Sequence, residues 1–161
     1  FQQTLLVSNL TLFENVTVAG YLGKERKPEE TRKQAEALLE QMNVGSAKDR
    51  MPAEVSGGEA QRAAIARAMI NEPGIIFADE PTGALNKRNT GEVLDLLTEL
   101  NKEGQSILMV THDLRAAVRG TRLLYLEDGK ILDELSMPVF HPEDERTRGA
   151  AINDWLASFQ W

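Results

Sequence analysis

The sequence contains no cysteine, which excludes a disulfide framework and any zinc or iron–sulfur site with cysteine ligands. Positive charge is scarce, since the sequence has 18 Lys and Arg residues but 25 Asp and Glu residues, and its formal net charge is −7. A broad grip on nucleic acid needs a basic face, so this balance argues against nucleic acid as a partner. Long apolar runs are missing too, and none approaches the ~18 residues of a membrane span. We therefore expect a cytoplasmic location.

What is present is an ordinary globular composition. The chain has 161 residues, of which 42% are hydrophobic and 27% are charged, enough for one folded domain. It begins with Phe1 instead of Met, so we expect it to be the later part of a longer protein.

Helix signals dominate the first part of the chain. Pro28 with Glu29 and Glu30 is typical of a first helical turn, and the apolar spacing predicts a helix to about Met42. An alanine-rich stretch predicts a second helix over residues 59–70. We therefore expect residues 1–73 to form a helical lobe.

Strand signals follow. The unbroken apolar runs at 75–78 and 107–110 are typical of strands buried on both faces of a parallel sheet, with a helix predicted between them at 89–102. Asp128-Gly129 predicts a hairpin, and a last helix is expected near 151–159. This order predicts an α/β fold with a parallel sheet in residues 74–135 and a tail in residues 136–161.

Asp79 and Glu80 directly follow the first predicted strand. Ligands of open α/β sheets collect at the carboxyl ends of strands, where Asp79 suits Mg²⁺ binding and Glu80 suits polarisation of an attacking water. By itself, this acidic pair before Pro81 is equally well explained as a polar turn.

Ser56-Gly57-Gly58 precedes the alanine-rich helix. Glycines let a backbone approach a ligand closely, and a helix N-terminus offers free N–H groups, so the segment resembles a small phosphate site. An ordinary Ser N-cap in a tight turn explains it too.

Two further side chains suit a nucleotide site. His112 follows the second predicted strand, where an imidazole can contact a terminal phosphate, although a capping role explains it as well. The amide of Gln2 suits contact with a metal-bound water.

The order and spacing of these segments resemble the nucleotide-binding subunit of ATP-binding-cassette (ABC) transporters. That family has a P-loop NTPase fold with a helical subdomain, so the resemblance implies a partial parallel sheet of that type with a helical signature-motif subdomain. The matching stretches are residues 1–2, 12–16, 55–68, 75–86 and 110–113.

The resemblance implies a role for each matching residue. Gln2 matches the Q-loop glutamine, which senses Mg²⁺ and the transmembrane partner, and Asp79 matches the Walker B aspartate that holds the metal. Glu80 matches the catalytic base and His112 the switch histidine. The signature motif, which closes over ATP bound to the opposite subunit, is matched by Ser56, Gly57, Gly58 and Glu59.

Two departures from the family pattern stand out. Asn86 ends the D-loop stretch 84–86, where the family usually has Asp, which puts dimer communication through this position in doubt. The Walker A pattern Gly-x-x-x-x-Gly-Lys-Ser/Thr occurs nowhere in the sequence. We therefore expect a fragment that starts at the Q-loop and is inactive alone.

The resemblance implies ATP and Mg²⁺ as cofactors, a second copy of the subunit, and a membrane permease that holds the protein at the inner face of the cell membrane. Residues 78–83 are similar to those of exporters of macrolides, lipoproteins and antimicrobial peptides. The alternatives are a soluble ABC-type ATPase of DNA repair or chromosome organisation, and a non-catalytic interaction fragment.

Overall fold

The computed structural model describes residues 5–23 and 26–159 and divides the chain into two compact units, residues 1–110 and 111–161. The domain bounds predicted above stay a prediction. In chain order the elements are α1 (Leu12–Tyr21), α2 (Pro28–Gln41), α3 (Gly57–Met69), β1 (Ile75–Asp79), α4 (Lys87–Lys102), β2 (Ser106–Val110), α5 (Leu114–Ala117), β3 (Arg122–Glu127), β4 (Lys130–Ser136) and α6 (Glu145–Ala157).

Helices α1, α2 and α3 form the helical part of the first unit. Helix α1 was not predicted; it begins at a capping box in which Thr11 accepts a hydrogen bond from the Glu14 N–H and the Glu14 carboxylate accepts one from the Thr11 N–H. Each fully buried aliphatic side chain contributes about 1.5–3 kcal/mol to folding. The fully buried apolar side chains that these helices contribute to the core include Leu12, Val16, Leu39 and Met42.

Strands β1 and β2 pair in parallel, with Ile75 opposite Ser106 and Asp79 opposite Val110. The prediction that these two strands are buried on both faces was wrong, and in β2 Leu108 and Val110 are 46% and 60% exposed. One face, which includes the buried Ile76, is covered, but Phe77 on the other face is 73% exposed. The helices described in this unit cover only one face of the two strands. An unbroken apolar run therefore does not distinguish a strand that is covered on both faces from a strand that is covered on one.

The second unit is built on the predicted hairpin. Strands β3 and β4 pair antiparallel, and Asp128 and Gly129 both have positive φ (48° and 74°), as a tight hairpin turn requires. The Tyr125 ring stacks on Phe159 beyond the end of α6 at 4.3 Å, and Trp155 Nε1 donates to Asp133 Oδ2 at 2.9 Å. The C-terminal aromatic residues therefore pack this segment onto the hairpin.

Arg148 anchors α6 within the second unit. It is 3% exposed, and its guanidinium donates to the carbonyl oxygens of Val118 (2.5 Å), Gly120 (2.6 Å) and Pro138 (2.8 Å). These carbonyls lie in the turn after α5 and after β4, so one side chain holds three segments together.

We expect Arg148→Met to destabilise the second unit by roughly 3 kcal/mol, because buried carbonyls lose charge-assisted hydrogen bonds and gain no other partner. Urea denaturation followed by tryptophan fluorescence measures this, since Trp155 lies on α6. The matched control is Arg146→Met at an exposed position on the same helix, with a change under about 0.5 kcal/mol expected. Equal effects of the two variants would contradict the anchoring role.

Within residues 5–23 and 26–159, no helix combines the length and apolarity needed to cross a membrane.

Candidate functional site

A cleft of about 940 Å³ opens in the first unit at the carboxyl end of β1. Asp79, the last residue of β1, and Glu80 both line it, as do Gly57 at the start of α3 and Ala84 and Leu85 of the loop before α4. The structure therefore brings the predicted acidic pair and the glycine segment to one cleft.

The backbone of Glu80 has a conformation that ordinary residues avoid. Its φ is 45°, in the left-handed region, which costs a non-glycine residue roughly 1–3 kcal/mol. The surrounding chain holds it there: the Glu80 N–H donates to the Val110 carbonyl oxygen at 2.9 Å, and its own carbonyl accepts from the Gly83 N–H at 3.1 Å. The position of the acid is thus fixed by both strands, whereas a simple polar turn does not require such strain.

Ser56 caps helix α3. Its hydroxyl accepts a hydrogen bond from the Glu59 N–H at 3.2 Å, and the Glu59 carboxylate accepts from the Ser56 hydroxyl (2.7 Å) and N–H (2.8 Å). The hydrogen bond from the Ser56 hydroxyl, followed by the one from the Ser56 N–H, holds the pKa of Glu59 below its ordinary value. The capping explanation therefore applies to both residues, and ligand contact by Ser56, Gly57, Gly58 and Glu59 stays a prediction.

Gly58 lies against helix α4. A Cβ atom at this position would come within 2.8 Å of Asn89 Cγ, so the residue is glycine because a neighbouring helix approaches it. A Cβ at Gly57 would meet only the tip of Leu85, at 3.3 Å. The signature segment and the first turn of α4 are therefore packed together within one chain.

Asn86 caps helix α4, with its side-chain oxygen accepting from the Asn89 N–H at 2.9 Å. Asn and Asp are about equally good N-cap residues, so the departure from Asp at this position leaves the local structure intact. A role of Asn86 in communication between two copies stays a prediction.

His112 belongs to the second unit and is exposed. It stands beside Asp113, which caps α5 by accepting from the Arg115 N–H at 2.9 Å and also accepts from the Arg115 guanidinium, from Nε at 3.0 Å and from Nη2 at 2.8 Å. The Arg115 guanidinium lowers the pKa of Asp113. Gln2, the other predicted sensor, lies outside the described residues.

Two polar side chains that the sequence analysis did not assign to the site organise its surroundings. Asn15 is 3% exposed in the middle of α1, and Arg67 of α3 donates a hydrogen bond to the Leu5 carbonyl oxygen at 2.7 Å. The sequence pattern that could have pointed to Asn15 is an asparagine between the apolar residues of a helix. The contact of Arg67 spans 62 residues, which no local pattern reveals.

The acidic pair suits magnesium in the way that nucleotide enzymes use it. Among the described residues, no group of three or more His, Asp or Glu side chains gathers as a metal site. Mg²⁺ in such enzymes needs only one or two protein carboxylates, because waters and substrate phosphates complete its shell. Asp79, at the strand end and lining the cleft, fits that binding mode.

Known proteins are similar in sequence to this chain over most of its length. The family profile described as ABC transporter matches residues 1–83. The chain is 44% identical to the lipoprotein-releasing system ATP-binding protein LolD of Aquifex aeolicus, a match that covers 84% of this chain and 60% of LolD. It is 42% identical to the macrolide export ATP-binding/permease protein MacB of a Shewanella species, over 86% of this chain and 21% of MacB.

The fold is also similar to that of a solved ATP-binding cassette. The dimeric post-hydrolysis state of the ATP-binding cassette MJ0796, bound to ADP and Pi, matches with a TM-score of 0.75 and 38% identity, over 87% of this chain and 62% of that one. The chain thus spans about 60% of the length of LolD. The expected partial P-loop NTPase fold with a parallel sheet is confirmed.

Proposed function

The chain belongs to the ABC transporter family, and we propose that it carries the catalytic carboxylate and the signature helix of an ATP-hydrolysing subunit. The observation that supports this most is the position of Asp79 and Glu80: both line the cleft at the end of β1, with Glu80 held in a strained backbone conformation. In this proposal Asp79 holds Mg²⁺, mainly through water, and Glu80 accepts the proton of the attacking water.

Hydrolysis requires two copies in this proposal. Ser56, Gly57 and Gly58 contact the terminal phosphate of ATP bound to the other copy, while Gln2 and His112 respond to the metal and to that phosphate. The exposed position of Gly57 at the N-terminus of α3 supports this, because helix N-terminal N–H groups attract phosphate. The dimeric state of the MJ0796 cassette supports it as well.

A membrane permease is the second partner that we propose. The names of LolD and MacB concern lipoprotein release and macrolide export, so the transported molecule belongs to the lipophilic or peptide-like cargoes of exporters. The subunit then works at the inner face of the membrane, bound to its permease.

The phosphate-binding loop has to come from residues outside this sequence, since no Gly-x-x-x-x-Gly-Lys-Ser/Thr pattern occurs in it. Charge-assisted hydrogen bonds to phosphate contribute about 1.5–3 kcal/mol each, and a micromolar affinity corresponds to only about −8 kcal/mol in total. Loss of several such bonds therefore removes most of the binding free energy for ATP. We call this chain joined to such a loop the full subunit.

We expect the 161-residue chain alone to show no saturable binding of Mg-ATP in calorimetric titration, and no hydrolysis. The matched control is the full subunit, for which we expect binding at micromolar concentrations. Light scattering on the same samples should show association of the chain alone, because Phe77 and Val110 expose an apolar face of the sheet. Saturable binding by a monomeric chain would contradict the assignment and require a phosphate site within these residues.

A further inference from the structure

Helix α5, which begins two residues after His112, is a single turn of four residues. A helix this short is not stable by itself in water, because the cost of forming its first turn is not offset by further turns. Its N-terminal end is capped by Asp113, whose side chain accepts from the Arg115 N–H at 2.9 Å. The persistence of α5, and with it the backbone position of His112, therefore depends on what holds its C-terminal end.

Arg148 of α6 holds this C-terminal end. Its guanidinium donates to the carbonyl oxygen of Val118, the C-cap residue of α5, at 2.5 Å and to that of Gly120 at 2.6 Å. The last carbonyls of a helix lack partners within it and form the negative end of its dipole, so a cation suits them. Because Arg148 is 3% exposed, water competes little for these bonds.

Apolar packing holds only part of α5. Val118 lies in a small core together with Ile152 of α6. A cleft of about 680 Å³ also opens between the two helices, and its lining includes Leu114 of α5 and Ala150 of α6. Side chains therefore do not fill the space between α5 and α6, and the hydrogen bonds of Arg148 supply a connection that packing does not.

We propose that Arg148 is a positioning residue for His112. This inference rests on the proposed function, in which His112 responds to the terminal phosphate of ATP. When the guanidinium is lost, α5 frays from its C-terminal end and the backbone next to His112 gains freedom. The imidazole then spends less time in the position that hydrolysis needs. A residue of the C-terminal tail, which contributes nothing to the proposed nucleotide contacts, thus influences the rate of hydrolysis.

Arg122 provides a matched control within the second unit. Its guanidinium donates to both carboxylate oxygens of Glu134 at 2.7 Å each, so it also makes charge-assisted hydrogen bonds. These bonds join β3 to β4 and involve neither α5 nor α6. Loss of Arg122 therefore removes the same charge from the unit without cutting the proposed connection.

Hydrogen exchange of the full subunit measures the local effect without any nucleotide. Methionine at position 148 keeps the length of the stem and removes the donors. The amides of residues 116–118 donate within α5, and we expect them to exchange at least about 10-fold faster in Arg148→Met and within about twofold of the unsubstituted rate in Arg122→Met. The labelling times are those over which the amides of β3 and β4 stay protected. Unchanged exchange at 116–118, or protection lost equally throughout the unit, would overturn the proposal.

The kinetic test is a double-mutant cycle with His112. We expect Arg148→Met to lower kcat for ATP hydrolysis about 10–100-fold, because a small displacement of a reacting group has effects of this size. KM for ATP should change less than about twofold, and both constants should stay within about twofold in Arg122→Met. In a His112→Ala background, Arg148→Met should change kcat less than about twofold further, because no imidazole remains to be positioned.

Melting temperatures identify a folding defect. If Arg148→Met melts below the assay temperature, Arg148→Lys takes its place in both experiments, because lysine keeps a charged donor that can reach one carbonyl, and the fall in kcat should then be smaller but again require His112. An equal fall in kcat with and without His112, or an equal fall in Arg122→Met, would overturn the proposal. Unchanged hydrolysis in His112→Ala alone would instead contradict the proposed role of His112, and this inference with it.

Discussion

Replacement of Glu80 with Gln should lower ATP hydrolysis by the full subunit roughly 10²–10⁴-fold, the contribution that a positioned general base typically makes. Glutamine keeps the shape of glutamate and cannot accept the proton of the attacking water. The two backbone hydrogen bonds of Glu80, at its N–H and its carbonyl, do not depend on the side chain. ATP binding and ATP-driven dimer formation should therefore persist while phosphate release is lost.

The control for this variant is Glu127→Gln. Glu127 is the last residue of β3 and is exposed, so the substitution removes the same charge at the end of a strand of the second unit, away from the proposed site. Steady-state phosphate release should stay within about twofold of the unsubstituted rate, as for most surface substitutions. A Glu80→Gln subunit that hydrolyses ATP at the unsubstituted rate would remove Glu80 from the mechanism.

Substitution of Gly57 with Asp should weaken ATP-driven dimer formation at least about 100-fold, because a carboxylate would face the terminal phosphate of the nucleotide on the partner. The structure favours Gly57 over Gly58 for this test. A side chain at Gly58 would collide with Asn89 of the same chain, whereas one at Gly57 meets only the flexible tip of Leu85. Analytical ultracentrifugation with and without Mg-ATP measures the dimer.

Gly57→Asn separates charge from size in this experiment. Asparagine has nearly the same shape as aspartate without the charge, so it should weaken the dimer far less. Folding should not suffer in Gly57→Asp, because an acid in the first turn of α3 stabilises the helix by about 0.3–1 kcal/mol. A similar loss in both variants would mean that steric fit, and not charge at a phosphate contact, is what position 57 controls.

The sequence was sufficient to predict the features that depend on local pattern. The α3 helix, the parallel pairing of β1 with β2 and the hairpin at Asp128-Gly129 follow from periodicity, unbroken apolar runs and turn residues, and all three are present. Asp79 and Glu80 fall at the end of β1 because the run of apolar residues ends there.

The remaining features depend on contacts between distant residues. Helix α1 was missed because its polar residues Asn15 and Thr17 are buried, so its apolar face is short and interrupted. The strain at Glu80 arises from a hydrogen bond to Val110, 30 positions later, and the clash at Gly58 arises from helix α4. The sequence next to Glu80 or Gly58 predicts neither the strained backbone nor the close approach of α4.

The central claim is that each active site combines Glu80 of one copy with the signature segment of the other, and mixing two defective full subunits tests it most directly. Glu80→Gln and Gly57→Asp subunits should each be nearly inactive alone. In a mixed dimer, one site joins the intact Glu80 of the second variant to the intact signature segment of the first. At protein concentrations high enough for the weakened dimer to form, up to half of the dimers in an equal mixture are mixed and each of these has one complete site. The account then predicts recovery to as much as about a quarter of the unsubstituted hydrolysis rate. If mixed dimers form but the mixture stays as inactive as its components, each site uses Glu80 and the signature segment of the same chain, and the account is wrong.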